Sequence, residues 1–226
     1  MSTGDPDRPD TLSRRALLGR VGVAGAFVAL TEVLPTVGDA EAQARRAAAR
    51  EPLETLTQAE ADTLEAITAR LIPTDANGPG AAEARAASYI DRALGGALAD
   101  FRDVYRSGLA SVDAYARSSK GAPFVQLGAA DQDAVLGDLE RNAATGFAGG
   151  SSPFFNLVLA HTVQGTFGDP FYGGNRNFAG WDLIGYPGVR LAVTAEQQNL
   201  DVKAAPTHMS AYDYTMFSGR KPARGH

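Results

Sequence analysis

Phe101, Val104, Tyr105, Gly108, Leu109 and Val112 fall at i, i+3, i+4, i+7, i+8 and i+11, and no other feature limits the fold so strongly. That spacing turns all of them to one side of an α-helix, so the stripe is expected to be core. The same period recurs along most of the chain. Thr57-Gln58-Ala59-Glu60 has the form of a capping box, in which the threonine hydroxyl accepts from the Glu60 amide and the carboxylate reaches back. Leu64, Ile67 and Leu71 follow on one face, and Pro73 ends that helix. An alanine-rich helix is expected from Ala82 to Leu94, stopped by Gly95-Gly96, and a shorter one from Asp131 to Glu140, with Val135, Leu136 and Leu139 inward. Ser152-Pro153 reads as the N-cap and first helical position of a helix through Phe154, Leu157, Val158, His161 and Thr162 to Phe167. Only Val189 to Val193 and Tyr212 to Phe217 lean toward β-structure. The expected fold class is all-α, a small irregular helical bundle.

The N-terminal stretch has another character. Ser13-Arg14-Arg15-Ala16-Leu17 precedes an apolar segment whose uncharged run from Val21 to Thr31 is 11 residues long. A membrane span needs ~18 or more consecutive apolar residues, so this run reads as the hydrophobic region of a signal peptide. An arginine pair with a large apolar residue two places on, here Leu17, resembles a twin-arginine (Tat) signal. Small-residue cleavage sites follow at Ala40-Glu41-Ala42 and Ala42-Gln43-Ala44. The expected organisation is a signal peptide over 1–42, a linker over 43–52, a helical domain over 53–200 and an extended tail over 201–226. The Tat translocase is then a partner and the periplasm the destination. That route carries proteins already folded, which suits a chain that must be assembled before export.

Composition narrows the function classes. The 226-residue chain has a formal net charge of -5, against a nucleic-acid binder that works by neutralising phosphates. It has no cysteine, so it offers no disulfide, no thiolate metal or iron–sulfur ligand, no covalent c-type haem attachment and no cysteine nucleophile. No glycine-rich nucleotide loop, zinc-protease motif or nucleophile elbow stands in the expected context. His161 with Asp169 eight residues on could serve as a general base; the plainer reading is a helix histidine with a hydrogen-bonded ring. His208 and Met209 are axial haem ligand types but have no attachment motif beside them. His226 is terminal. Asp169, Asn175 and Asp182 are oxygen donors that could hold a cation, with turn and N-cap duty as the plainer alternative.

From Gly168 to Gly188 the texture changes to six glycines, two prolines and five aromatics in 21 residues, with neither period. Such a segment must pack its aromatics on the helical body or on another protein, and long ordered loops of this kind tend to be functional. Asp169-Pro170-Phe171-Tyr172-Gly173-Gly174-Asn175-Arg176, then Gly180-Trp181 and Gly185-Tyr186-Pro187-Gly188, resembles the signature of the gluconate 2-dehydrogenase subunit 3 family. Leu56-Thr57 with Glu60, Ile67, Leu71-Ile72-Pro73, Asp75, Gly78-Pro79-Gly80-Ala81 and Tyr89-Ile90-Asp91 resembles its opening pattern, and the likeness covers residues 53–200. Asp182 departs from the family pattern, and the tail from Asp201 does not align with it.

The resemblance implies a non-catalytic small subunit. Its partner would be a large FAD-dependent dehydrogenase of the glucose–methanol–choline type, acting on a sugar, sugar acid or polyol. The small subunit would stabilise this flavoprotein and escort it through the Tat pathway, and a c-type cytochrome subunit could complete the complex. No cofactor or metal is expected on this chain itself. Asp169, Pro170, Phe171, Tyr172, Asn175, Arg176, Trp181, Tyr186 and Pro187 are the candidate partner contacts. Aromatic and arginine side chains are the types that anchor interfaces, although the same aromatics can fill a small core. Two other classes remain open: an autonomous periplasmic binding or structural protein, and a small enzyme using His161 and Asp169.

Overall fold

The computed structural model describes residues 52–199, 201 and 204–218. The predicted signal peptide (with Ser13, Arg14, Arg15 and Leu17), the linker up to residue 51, and His226 lie outside the described residues. Within them the chain is helical and has no strand.

Helix α1 spans Gln58–Leu71 and opens with the capping box expected of it, the Thr57 and Glu60 side chains each meeting the other's backbone amide. Its apolar face carries Leu64 and Ile67, both fully buried, and it stops where Ile72 precedes Pro73. Helix α2 spans Ala86–Leu94 and starts later than its alanines suggest. Residues 81–85 form turns instead, because Arg85 adopts a left-handed backbone (φ 56°) while Ala81 and Ala84 are buried. Helix α2 also buries a carboxylate. Asp91 accepts from the amides of Glu54, Thr55 and Leu56 at 2.7–3.0 Å, tying the segment before α1 onto α2.

Helix α3 spans Arg102–Lys120 and ends at Gly121, whose φ of 84° suits the left-handed cap. Tyr105, Gly108, Leu109, Val112 and Ala116 form its buried stripe. The expected stripe is thereby shortened, since Phe101 and Val104 are exposed. Phe101 belongs to a 3₁₀ turn, Ala99–Phe101, and so leaves the α-helical register. Helix α4, Ala129–Glu140, buries Val135, Leu136 and Leu139 as expected. A bidentate Arg70–Asp133 pair, at 2.6 and 2.5 Å, joins α1 to α4.

Helix α5, Ser151–Phe167, has Gly150 rather than Ser152 as its N-cap. Ser151 is inside the helix with its hydroxyl donating to the buried Leu139 carbonyl, and Asn142 Oδ1 accepts from Ser152 N instead. Pro153 still fits, because first-turn amides have no intrahelical acceptor. The five helices enclose one core that runs from Leu56 to Val158. Two short helices follow, α6 over Ala179–Ile184 and α7 over Thr215–Ser218. The two β-leaning stretches form no strand. Val189 makes a single rung, donating to Met209 O at 2.8 Å, and Ala211–Asp213 and Thr215–Ser218 are helical, with Tyr214 extended between them.

Candidate functional site

The 168–188 segment lies against α5 and is built from three short helical pieces, Pro170–Tyr172, Arg176–Phe178 and α6. Two of its glycines explain why it lies so close. A Cβ at Gly174 would stand 2.1 Å from Gly165 O, and one at Gly180 would stand 1.9 Å from Thr166 O. Nothing larger than hydrogen fits at either position, so the loop backbone rests directly on the helix backbone.

Asn175 locks this arrangement. Its side chain is fully buried, its backbone is left-handed (φ 44°), and its amide donates to Gly165 O at 2.7 Å. Nδ2 donates to Gly168 O at 2.8 Å, while Oδ1 accepts from Gly180 N at 2.8 Å and Trp181 N at 3.3 Å. Trp181 is 4% exposed, with its indole donating to Phe167 O at 2.9 Å. Both were candidate partner contacts, and both are spent inside the chain. Their inward placement has a plain cause: a loop without a backbone ladder needs side chains to satisfy its amides and an anchor to bury.

The remaining candidates face outward to different degrees. Tyr172 is half exposed and Tyr186 is exposed, packing edge-on against Trp181. Phe171 and Pro187 are intermediate, and Arg176 is exposed with its amide donating to Ala84 O. Asp169 caps the Pro170–Tyr172 turn by accepting from Phe171 N at 2.9 Å. It also reaches the tail, with Oδ1 accepting from Ser210 Oγ at 2.6 Å and Oδ2 from Ala211 N at 3.0 Å.

The described part of the tail is thus more than an extension. Ser210 and Asp213 form a second capping box around the turn Ala211–Asp213. Tyr212 stacks on Phe171 at 3.7 Å and shares a 2.6 Å hydroxyl bond with Tyr172, which pushes the Tyr172 pKa up to about 12. His208 stacks on Phe178 at 4.7 Å and pairs with Asp182 at 2.7 Å. Thr207 bonds Pro187 O through both its amide and its hydroxyl, and the Tyr214 hydroxyl donates to Val189 O. This contact region was missed on reading the sequence. The Ser-x-x-Asp spacing at 210–213 was the available signal.

An open cleft of about 270 Å³ lies between Tyr89, Gln164, Gly168, Asp169, Tyr172 and Gly174. The Tyr89 hydroxyl already donates to Gln164 across it. His161 is elsewhere in the architecture. It is 5% exposed, and its Nδ1 lies 2.9 Å from the Tyr105 hydroxyl with the two rings stacked. Burial pushes the imidazole pKa down and the phenol pKa up, so the two form a neutral hydrogen-bonded pair. His161 and Asp169, joined above as a possible acid–base pair, are each engaged with a different element. The oxygens of Asp169, Asn175 and Asp182 are likewise spent on separate partners.

A family model described as gluconate 2-dehydrogenase subunit 3 matches residues 58–188, more than half of the chain. No curated protein and no solved structure matches it.

Proposed function

The chain belongs to the gluconate 2-dehydrogenase subunit 3 family, and from that premise we propose that it is the non-catalytic small subunit of a periplasmic dehydrogenase complex. The large partner is an FAD-dependent enzyme of the glucose–methanol–choline type that oxidises a sugar, sugar acid or polyol, and a c-type cytochrome is a third possible component. This chain holds no cofactor of its own. Its twin-arginine leader takes the folded pair through the Tat translocase, so the chain stabilises its partner and escorts it.

The observation that carries this reading is the family match, which includes the whole Asp169–Gly188 signature. The surface is in keeping with it. Among the described residues, seven of the eleven large apolar side chains left exposed lie at position 172 or beyond (Tyr172, Ile184, Tyr186, Leu191, Val193, Met216 and Phe217), while Phe101, Val104, Val125 and Val163 are exposed earlier in the chain. Apolar groups collected in one part of a chain suit a protein interface better than solvent. An interface of obligate size, above ~2,000 Å² in total, is expected there.

The test is a pull-down of the tagged full-length chain from its native host, with an absorption spectrum of the eluate. A stoichiometric partner with flavin bands, lost from the exported fraction when Arg14→Lys and Arg15→Lys are combined, is the expected result. A colourless eluate without a partner would overturn the proposal.

A further inference from the structure

The family match ends at residue 188, yet the residues that fasten the signature segment lie beyond it. Between Thr207 and Tyr214 nearly every residue is attached to the 169–189 stretch, by hydrogen bonds at 207, 209, 210, 211 and 214 and by stacked rings at 208 and 212. The attachments are spread along the whole segment, from Asp169 at its start to Pro187 and Val189 at its end. They use the carboxylates of Asp169 and Asp182, the Pro187 and Val189 carbonyls, the Val189 amide, the Tyr172 hydroxyl and two aromatic faces, which is the inventory of a fastening with fixed register.

We infer that residues 207–214 are a built-in clamp that holds the 169–188 segment in the shape its partner subunit recognises, with Asp169 as the positioning residue. The inference rests on the proposed function for what is recognised, but the clamp itself is a property of the isolated chain.

The physical argument is one of division. The main core runs from Leu56 to Val158 and includes no residue of the signature or the tail. Core burial therefore stabilises α1–α5 without specifying the signature. The segment has its own internal lock in Asn175, but this holds only the stretch from Gly168 to Trp181. Beyond Trp181, the chain through Gly185 and Gly188 runs with positive φ at both glycines and has the tail as its neighbour. At the other end, Asp169 ties the first turn of the segment to the tail through a charge-assisted pair of bonds, stronger than neutral ones. A surface presented by two separately anchored segments gains rigidity before the partner arrives, which lowers the ordering cost of association.

The experiment compares hydrogen exchange along the full-length chain with flavin co-eluting on the tagged chain. The variants are Asp169→Asn on one side of the clamp and Ser210→Ala combined with Tyr212→Phe on the other. Amides of residues 171–188 are expected to exchange about tenfold faster or more in each variant, while α1–α5 keep their protection. Flavin co-elution should fall in parallel, and Ser210→Thr, which retains the hydroxyl, should keep both properties. Unchanged exchange at 171–188 in both variants would overturn the clamp, as would equal loss of protection in α1–α5. If the unaltered chain carries no flavin, the proposed function fails, and the exchange comparison still decides the clamp.

Discussion

Asn175 shows how much one side chain can organise in a loop that has no periodic hydrogen bonding. Replacing it with alanine would leave Gly180 N, Trp181 N and Gly168 O without their partner in a buried setting. A cost of about 2–4 kcal/mol is expected for Asn175→Ala, read as a lowered urea midpoint, because stranded buried groups lose their full solvation. His161 makes a second prediction at this scale. Its folded-state pKa lies below the ordinary value of 6.5 because burial disfavours the charged ring. Below about pH 6.5 the unfolded chain takes up a proton that the folded chain resists, so this contribution is complete above that pH and declines as pH falls toward the folded pKa. His161→Gln, which keeps a hydrogen-bonding side chain near Tyr105, should flatten the fall in stability between pH 7.5 and 5.5. An equal fall in both proteins would show that the acid sensitivity lies elsewhere.

Among the elements, the helices follow their sequence signals where capping and periodicity agree and depart from them where a backbone position must be unusual. Helix α1 matches its capping box, whereas α2 loses its first turn to the left-handed Arg85. The contact of the signature with α5 depends on missing side chains. Gly180→Ala is expected to cost about 2–3 kcal/mol, since its Cβ would meet a backbone carbonyl that cannot rotate away. Gly96→Ala is the control, because its Cβ would meet nothing within 4 Å, and it should be neutral or slightly stabilising. Thermal melting of the two variants side by side checks both. Equal melting temperatures would remove close backbone approach as the reason for glycine at 180.

For the whole molecule, the question is where a partner sits. Ile184 is 58% exposed on α6, at the edge of the signature. Ile184→Asp should leave the melting temperature nearly unchanged, because an exposed side chain contributes little to folding, while reducing flavoprotein capture at least about tenfold. Val163, 43% exposed on α5, is the comparison position. If Val163→Asp weakens capture and Ile184→Asp does not, the docking face is not the signature. No helix among the described residues is long and apolar enough to cross a membrane.

Local signals were enough for the helical class, for α1 with its cap, for the buried face of α4 and the Tyr105–Val112 part of that of α3, and for the family, because each depends on residues a few positions apart or on a motif read in order. The signature was legible as a specific string, but the division of labour inside it was not. Asn175 and Trp181 turn inward while Tyr172 and Tyr186 do not, and that follows from how closely Gly174 and Gly180 let the loop approach α5. The same holds for Asp169. Its place before a proline announced a turn, but its bonds to Ser210 and Ala211 join positions about forty residues apart, across a tail without period. Spacing along a chain encodes which face a residue shares with its near neighbours. Which distant backbone comes to rest on that face is decided only when the helices have packed and the remaining polar groups have found partners.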